Sequence, residues 1–168
     1  GQFAWFGGDV RVLGGRNGAA FVASGEVFSV TTETWWNCGA LLTPRADFAA
    51  GMLSDGRVAV VGGTADGGVV SDAERYNPSG CSSSAMAGPA GARRFHSIVV
   101  QPAGEIWISG GEAPGGTVRG SHEVFHPANG GQWFASMPMT EPRAGHLLAA
   151  LLDTRDLLAG GWNAGGPR

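Results

Sequence analysis

The chain has 168 residues, 43% hydrophobic and only 15% charged, with a formal net charge of −3, which suits one domain with a core of its own. All eleven basic residues are Arg, scattered without a basic run, which argues against a nucleic acid or an anionic membrane as partner. The longest apolar run, LLAALL, is far too short to span a membrane as a helix, and the N-terminal GQFAWFGG has neither the n-region nor the h-region of a signal peptide.

Taken in chain order, short apolar runs end repeatedly in Gly-Gly. VRVLGG closes at Gly14–Gly15, VAVVGG at Gly62–Gly63, IWISGG at Gly110–Gly111 and DLLAGG at Gly160–Gly161, a step of 48 to 50 residues. Other markers keep that step. Arg45, Arg93 and Arg143 each precede the pair by 17 residues. His96 and His146 follow their Arg by three, where the second copy has Phe48. Glu26, Glu74 and Glu123 come after the pair, each with an aromatic two residues on: Phe28, Tyr76, Phe125, which are expected to be buried in equivalent places. Trp36 and Trp133 lie eight beyond their aromatics, with Ser84 at that place in the middle copy.

The second copy gives the unit's structure. DFAAGML reads as a first strand, SDG as a turn, RVAVV as a second strand, TADGG as a loop and VVSDAERYN as a third strand. PSG is a turn, and a weaker fourth strand runs around Ser83–Gly88. Four antiparallel strands per unit predict an all-β chain of propeller blades. The expected blades are 1–42, 43–90 and 91–140, with a half-blade over 141–168.

The stretch PRADFAAGMLSDGRVAVVGG…DAERYNP, Pro44 to Pro78, resembles the kelch repeat, and the resemblance extends over nearly the whole chain. It is weakest in the first copy, where the Arg is missing and Gly7–Gly8 replaces Asp-Gly. The resemblance implies a kelch-type β-propeller segment of about three and a half blades, within a superfamily of binding scaffolds that also carries copper-radical galactose oxidases. It implies a ligand, protein or carbohydrate, bound by loops at one face, with no catalysis by this segment and no cofactor. The alternative is a fragment of a galactose-oxidase-like secreted carbohydrate oxidase. Such a copper site needs two Tyr, one crosslinked to a Cys, and two His; the single Tyr76 cannot complete it, so it would lie outside this chain. The compartment is not legible in the sequence; secreted or cell-surface is the side favoured.

HEVFHP, His122 to Pro127, carries the His-Glu-x-x-His spacing of zinc proteases. That spacing works on a helix, where residues four apart share a face and can reach one zinc. The repeat aligns HEVFHP with AERYNP and GEVFSV, which alternate as strands. In a strand the two His lie ~13 Å apart, so no shared zinc is expected. The glycine loops GGRNGAAF, GGTADGG and GGEAPGG lack the Lys of a phosphate-binding P-loop and serve as turns.

An antiparallel meander brings the start of the first strand and the end of the second to the same sheet edge. Arg45, Arg93 and Arg143 are therefore expected to share a face with Arg16, Thr64, Glu112 and Trp162, the residues just after each Gly-Gly. These seven are the candidate ligand-binding residues. The competing reading of each Arg is structural, pairing with backbone carbonyls or the Glu of a nearby strand. His96 and His146 are expected to be structural too. Cys38 and Cys81 form no CxxC and are expected to be two partly buried free thiols, with a disulfide in an oxidising compartment as the alternative. The position matching Arg45 would fall before Gly1, and the last copy stops after its second strand. The chain is therefore expected to be an incomplete propeller, to leave bare blade faces at both ends, and to associate with further blades of a longer chain or with itself.

Overall fold

The computed structural model describes residues 2–6, 8–151 and 155–167, the first five as backbone only. The described residues are all-β and contain no α-helix. Sheet 1 is formed by β1 (Gln2–Phe6), β2 (Asp9–Asn17), β3 (Ala20–Ser29) and β4 (Thr34–Ala40), in sequence order and antiparallel. Sheet 2 contains β5 (Ala49–Met52), β6 (Val58–Val61), β9 (Ala73–Asn77) and β10 (Ser82–Met86), again antiparallel. A small hairpin of β7 (Thr64–Ala65) and β8 (Gly68–Val69) stands off its edge. Sheet 3 contains β11 (Ser97–Val100), β12 (Ile106–Ser109), β13 (His122–His126) and β14 (Gln132–Ser136). Then come two two-stranded sheets, β15 (Leu147–Ala150) with β16 (Asp156–Ala159), and β17 (Trp162–Asn163) with β18 (Gly166–Pro167).

Alternation along the strands stacks these sheets face to face. Val58, Val60 and Tyr76 of sheet 2 pack on Leu13, Val27 and Cys38 of sheet 1. The opposite face of sheet 2, Ala59, Val61 and Ala73, packs on Ile106, Ile108 and Phe125 of sheet 3. A strand buried on both faces loses its polar alternation, which is why β6 is VAVV and fully buried.

The Gly-Gly pairs end the second strands for a definite reason. Both members have positive φ in all four copies, for example 61° and 100° at Gly62 and Gly63. The first member also sits where a Cβ would strike the next unit's backbone, as at Gly62 against the Arg93 carbonyl, and the second where it would strike its own unit's, as at Gly63 against the Ala46 carbonyl. The second member's N–H donates to the carbonyl of the next unit's Arg: Gly15 to Arg45 at 2.7 Å, Gly63 to Arg93 at 2.8 Å, Gly111 to Arg143 at 2.9 Å. The pair is thus both a strand terminator and an inter-sheet tie.

Three expectations need correction. Cys38 and Cys81 are not free thiols; they form a disulfide, with Cα atoms 4.7 Å apart. The pair is off the repeat period, because it joins the outermost strand of sheet 1 to the β9–β10 turn of sheet 2, where Cys81 has a φ of 48°. The residue equivalent to Trp133 is Trp35, not Trp36. Trp133 lies opposite Phe125 and Trp35 opposite Phe28, since the turn in sheet 3 is one residue longer and holds a short 3-10 segment at Pro127–Asn129. The same register places Ser83, not Ser84, opposite Tyr76. Finally, Tyr76 and Phe125 are buried but Phe28 is only half-buried, tilted against Trp35.

Segment His122–His126 is strand β13. His122 packs edge-on against Trp107, and His126 Nδ1 lies 2.8 Å from Glu105. No helix among the described residues is long and apolar enough to cross a membrane.

Candidate functional site

The repeated arginines divide from the rest of the expected site. Arg45 and Arg93 are wholly buried and cannot meet a ligand at the surface. Each is a clamp across a sheet boundary. Its backbone is tied to the preceding unit, through the Gly-Gly bond above and through Arg45 N to Val22 O and Arg93 N to Val70 O. Its guanidinium points into its own unit. Arg45 Nη1 donates to Gly62 O and Asp72 O at 2.8 and 3.1 Å, and Nη2 lies 3.1 Å from Glu74 and bonds Asp72. Arg93 repeats this with Gly110 O, Ser121 O and Glu123. Burial, opposed by the Glu123 charge, holds Arg93 below the usual guanidinium range. The second carboxylate oxygen of each Glu accepts a linker N–H, from Leu42 at 2.6 Å and Ala90 at 2.8 Å. A buried charge pair with its remaining valences filled is a structural device. Arg143 is half-buried, donates to Gly160 O at 3.2 Å and lies 3.6 Å from Glu141.

The residues after the Gly-Gly pairs behave differently. Thr64, Glu112 and Trp162 bridge the residue just after each Arg: Ala46, Arg94 and Ala144. The next position, Asp47, Phe95 and Gly145, has positive φ in all three copies. A chain of backbone bonds runs through it, Phe95 N to Asp47 O at 3.0 Å and Gly145 N to Phe95 O at 2.7 Å. So these two positions form a continuous rim along the inner strands, with side chains of different chemistry at each unit.

On this rim, Arg94 holds Glu112 with two bonds of 2.9 and 3.0 Å, and its guanidinium lies 5.1 Å from the Phe95 ring centre. Trp162 Nε1 donates to the other Glu112 oxygen at 3.2 Å, and the Trp162 and Phe95 rings meet edge to face at 5.6 Å. The Trp162 ring lies directly over Gly145, where any Cβ would collide with it. Trp162 remains 36% exposed. The next residue of β17, Asn163, lines an open groove of about 540 Å³ with Thr117, Val118, Pro142 and Ala164 among others. At the other end of the rim, Arg16 stacks on Phe21 and approaches Asp47 to 3.6 Å, while the mostly buried Thr64 donates to Asp47 at 3.2 Å.

The structure therefore brings Glu112 and Trp162 together and places Arg16 and Thr64 near Asp47. It withdraws Arg45 and Arg93. Sequence reasoning missed Asp47, Arg94 and Phe95. Their one available signal was position relative to the repeated Arg, since their identities vary.

His96 and His146 lie below the rim. His146 Nε2 is 3.1 Å from Ser109 Oγ. In the preceding unit that Ser is Val61, and neither ring nitrogen of His96 has a partner. Burial first, then the positive charge of Arg93 and the nearness of His146, lowers the His96 pKa to about 3. Burial and Arg143 lower that of His146 to about 4. Among the described residues no three His, Cys, Asp or Glu side chains cluster to hold a metal ion. Compared with protein-family models and with curated proteins, the chain matches none.

Proposed function

We propose that the chain is a kelch-type β-propeller segment, three four-stranded blades and the first half of a fourth, that binds a protein or carbohydrate ligand through loops at one face and does no chemistry itself. Support for the propeller comes from the 48-residue step, the face-to-face stacking of successive sheets and the clamp repeated at each boundary. The observation that carries the binding reading is the exposed Trp162, fixed over Gly145 by Phe95 and Glu112. A rigid aromatic beside an Arg–carboxylate fork offers a flat apolar surface and directional polar groups, which suits a sugar ring or a peptide.

The test is a screen of the intact chain on an oligosaccharide array and on a displayed peptide library. Ligands should be found that Trp162→Ala weakens at least ~10-fold, while Arg57→Ala, at the opposite end of the same strands, leaves them unchanged. Ligands indifferent to Trp162→Ala, or none in either library, would overturn the reading.

A further inference from the structure

Sheets 2 and 3 build the same clamp with opposite charge balance. In sheet 2, Arg45 is met by two carboxylates, Asp72 and Glu74, and Thr43 Oγ1 adds a bond to Asp72 at 3.3 Å. Equivalent backbone bonds identify the counterparts in sheet 3. Gly62 N donates to Asp72 O and Gly110 N to Ser121 O, so Ser121 stands at the Asp72 position. Val70 N donates to Gly63 O and Arg119 N to Gly111 O, so Arg119 stands at the Val70 position. Gly91 stands at the Thr43 position, two residues before the Arg.

Three changes thus fall in one place. A carboxylate is lost at Ser121, a guanidinium is gained at Arg119, and the Thr43 side chain is removed at Gly91. The Arg119 guanidinium fills the space so vacated: a Cβ on Gly91 would lie 2.9 Å from its Nη1. Sheet 2 sets one Arg against two carboxylates; sheet 3 sets two Arg, Arg93 and Arg119, against Glu123 alone. Among the described residues Arg119 has no salt bridge, and its Nε, Ser121 Oγ and His122 Nε2 are buried without a hydrogen-bond partner. Buried donors are normally satisfied, so this cluster is one anion short.

These residues line an open pocket of about 380 Å³, walled on one side by Trp133, whose Nε1 is already engaged by Ala87 O at 2.7 Å. That volume lies within the range of small-molecule sites. The geometry points to a binding site for a carboxylate-bearing ligand here: its carboxylate takes the place that Asp72 fills in sheet 2, between Arg119 and Ser121, and the rest of the molecule lies along Trp133. The planar guanidinium matches a carboxylate with two parallel bonds. The carboxylate could belong to a sugar acid or to an acidic side chain of a peptide; the chemistry recognised is the same. This site is separate from the Trp162 rim, and its failure would leave the proposed function untouched.

The test uses the intact chain at fixed ionic strength with two probe pairs, D-glucuronate against D-glucose and N-acetyl-aspartate amide against N-acetyl-asparagine amide. At least one acidic probe should raise the melting temperature and bind by calorimetry, with its neutral partner silent. Which acidic probe acts identifies the source. Arg119→Val, which installs the sheet 2 residue, should weaken that binding at least ~10-fold while leaving the unliganded melting temperature unchanged or higher. Ser121→Asp, which supplies the carboxylate internally, should raise the unliganded melting temperature and abolish the response. Equal effects of acidic and neutral probes, binding that survives Arg119→Val, or a Ser121→Asp protein that melts lower would each overturn the proposal.

Discussion

The markers Glu, aromatic and Trp meet opposite fates in sheet 1 and sheet 3. In sheet 3, Glu123 is buried against Arg93, Phe125 is 2% exposed, and Trp133 covers it while bonding Ala87 O. In sheet 1, Glu26 is exposed, Phe28 is half-buried and Trp35 is 55% exposed, although the strand register is the same. The difference lies outside the sheet. Phe125 faces sheet 2 and joins a core cluster with Ala59 and Val61. Val10, Val12 and Phe28 belong to neither core cluster of the described residues. The repeat markers are therefore inter-sheet residues, whose burial is conferred by a neighbour, as expected where each unit cannot cover its own apolar face.

The largest effect should come from breaking the buried clamp. Glu123→Ala leaves the Arg93 guanidinium buried without its carboxylate and should cost ~3–5 kcal/mol, read as a lower urea midpoint. Glu26→Ala, at the same repeat position, should leave the midpoint unchanged. A comparable loss at Glu26 would show that the marker acts within its own sheet. The aromatic position sharpens the same comparison with a smaller difference between the two sheets. Phe125→Ala should cost ~3–5 kcal/mol by opening a cavity between two sheets, and Phe28→Ala ~1 kcal/mol, because a half-exposed ring leaves no closed cavity. Equal losses at the two positions would mean that the sheet 1 face is covered in solution.

This contrast also explains what the sequence could and could not reveal. Strands and their ends were legible because the constraints are local: period-2 alternation for the strands, and two successive positive-φ residues for each Gly-Gly. Burial of Phe28 was not legible, because it depends on a neighbour that a periodic pattern assumes at every step. The disulfide was hidden for a related reason. Cys38 and Cys81 occupy different places in their units, and only the packing of the outermost strand β4 against an adjacent turn brings them together. At the candidate site the sequence identified the right edge and overvalued the wrong residues. Arg45 and Arg93 recur because every boundary needs the same clamp. The rim positions Asp47, Phe95 and Gly145 share a backbone role and no side-chain chemistry, so a search for repeated letters passes over them. In a repeat chain, sameness marks structure, and the ligand's contacts are sought where equivalent positions differ.

The smallest expected effect concerns the two histidines, again one position in two contexts. Both are neutral when buried, with folded pKa values of about 3 and about 4 against 6.5 as the reference. The sign follows directly. Below pH 6.5 the unfolded chain takes up protons that the folded chain refuses, so stability falls with pH, by ~1.4 kcal/mol per pH unit per histidine until the folded pKa is reached. From pH 6.5 to 5 each should cost ~2 kcal/mol. The two should part on substitution. Phe48 already occupies the equivalent place in sheet 2, against Gly14 where His96 meets Gly62. His96→Phe should therefore fit, remove one histidine's share of the acid slope and leave stability at pH 7 equal or higher, since two unpaired ring nitrogens disappear. His146→Phe should remove a similar share of the slope yet lose ~1–2 kcal/mol at pH 7, because Ser109 Oγ is left buried without its partner. Urea midpoints at pH 5, 6 and 7 for the wild type and both variants separate the outcomes. An unchanged slope in His96→Phe would mean that the imidazole is solvated in the folded chain, and that its place between the two sheets is looser than the place Phe48 fills.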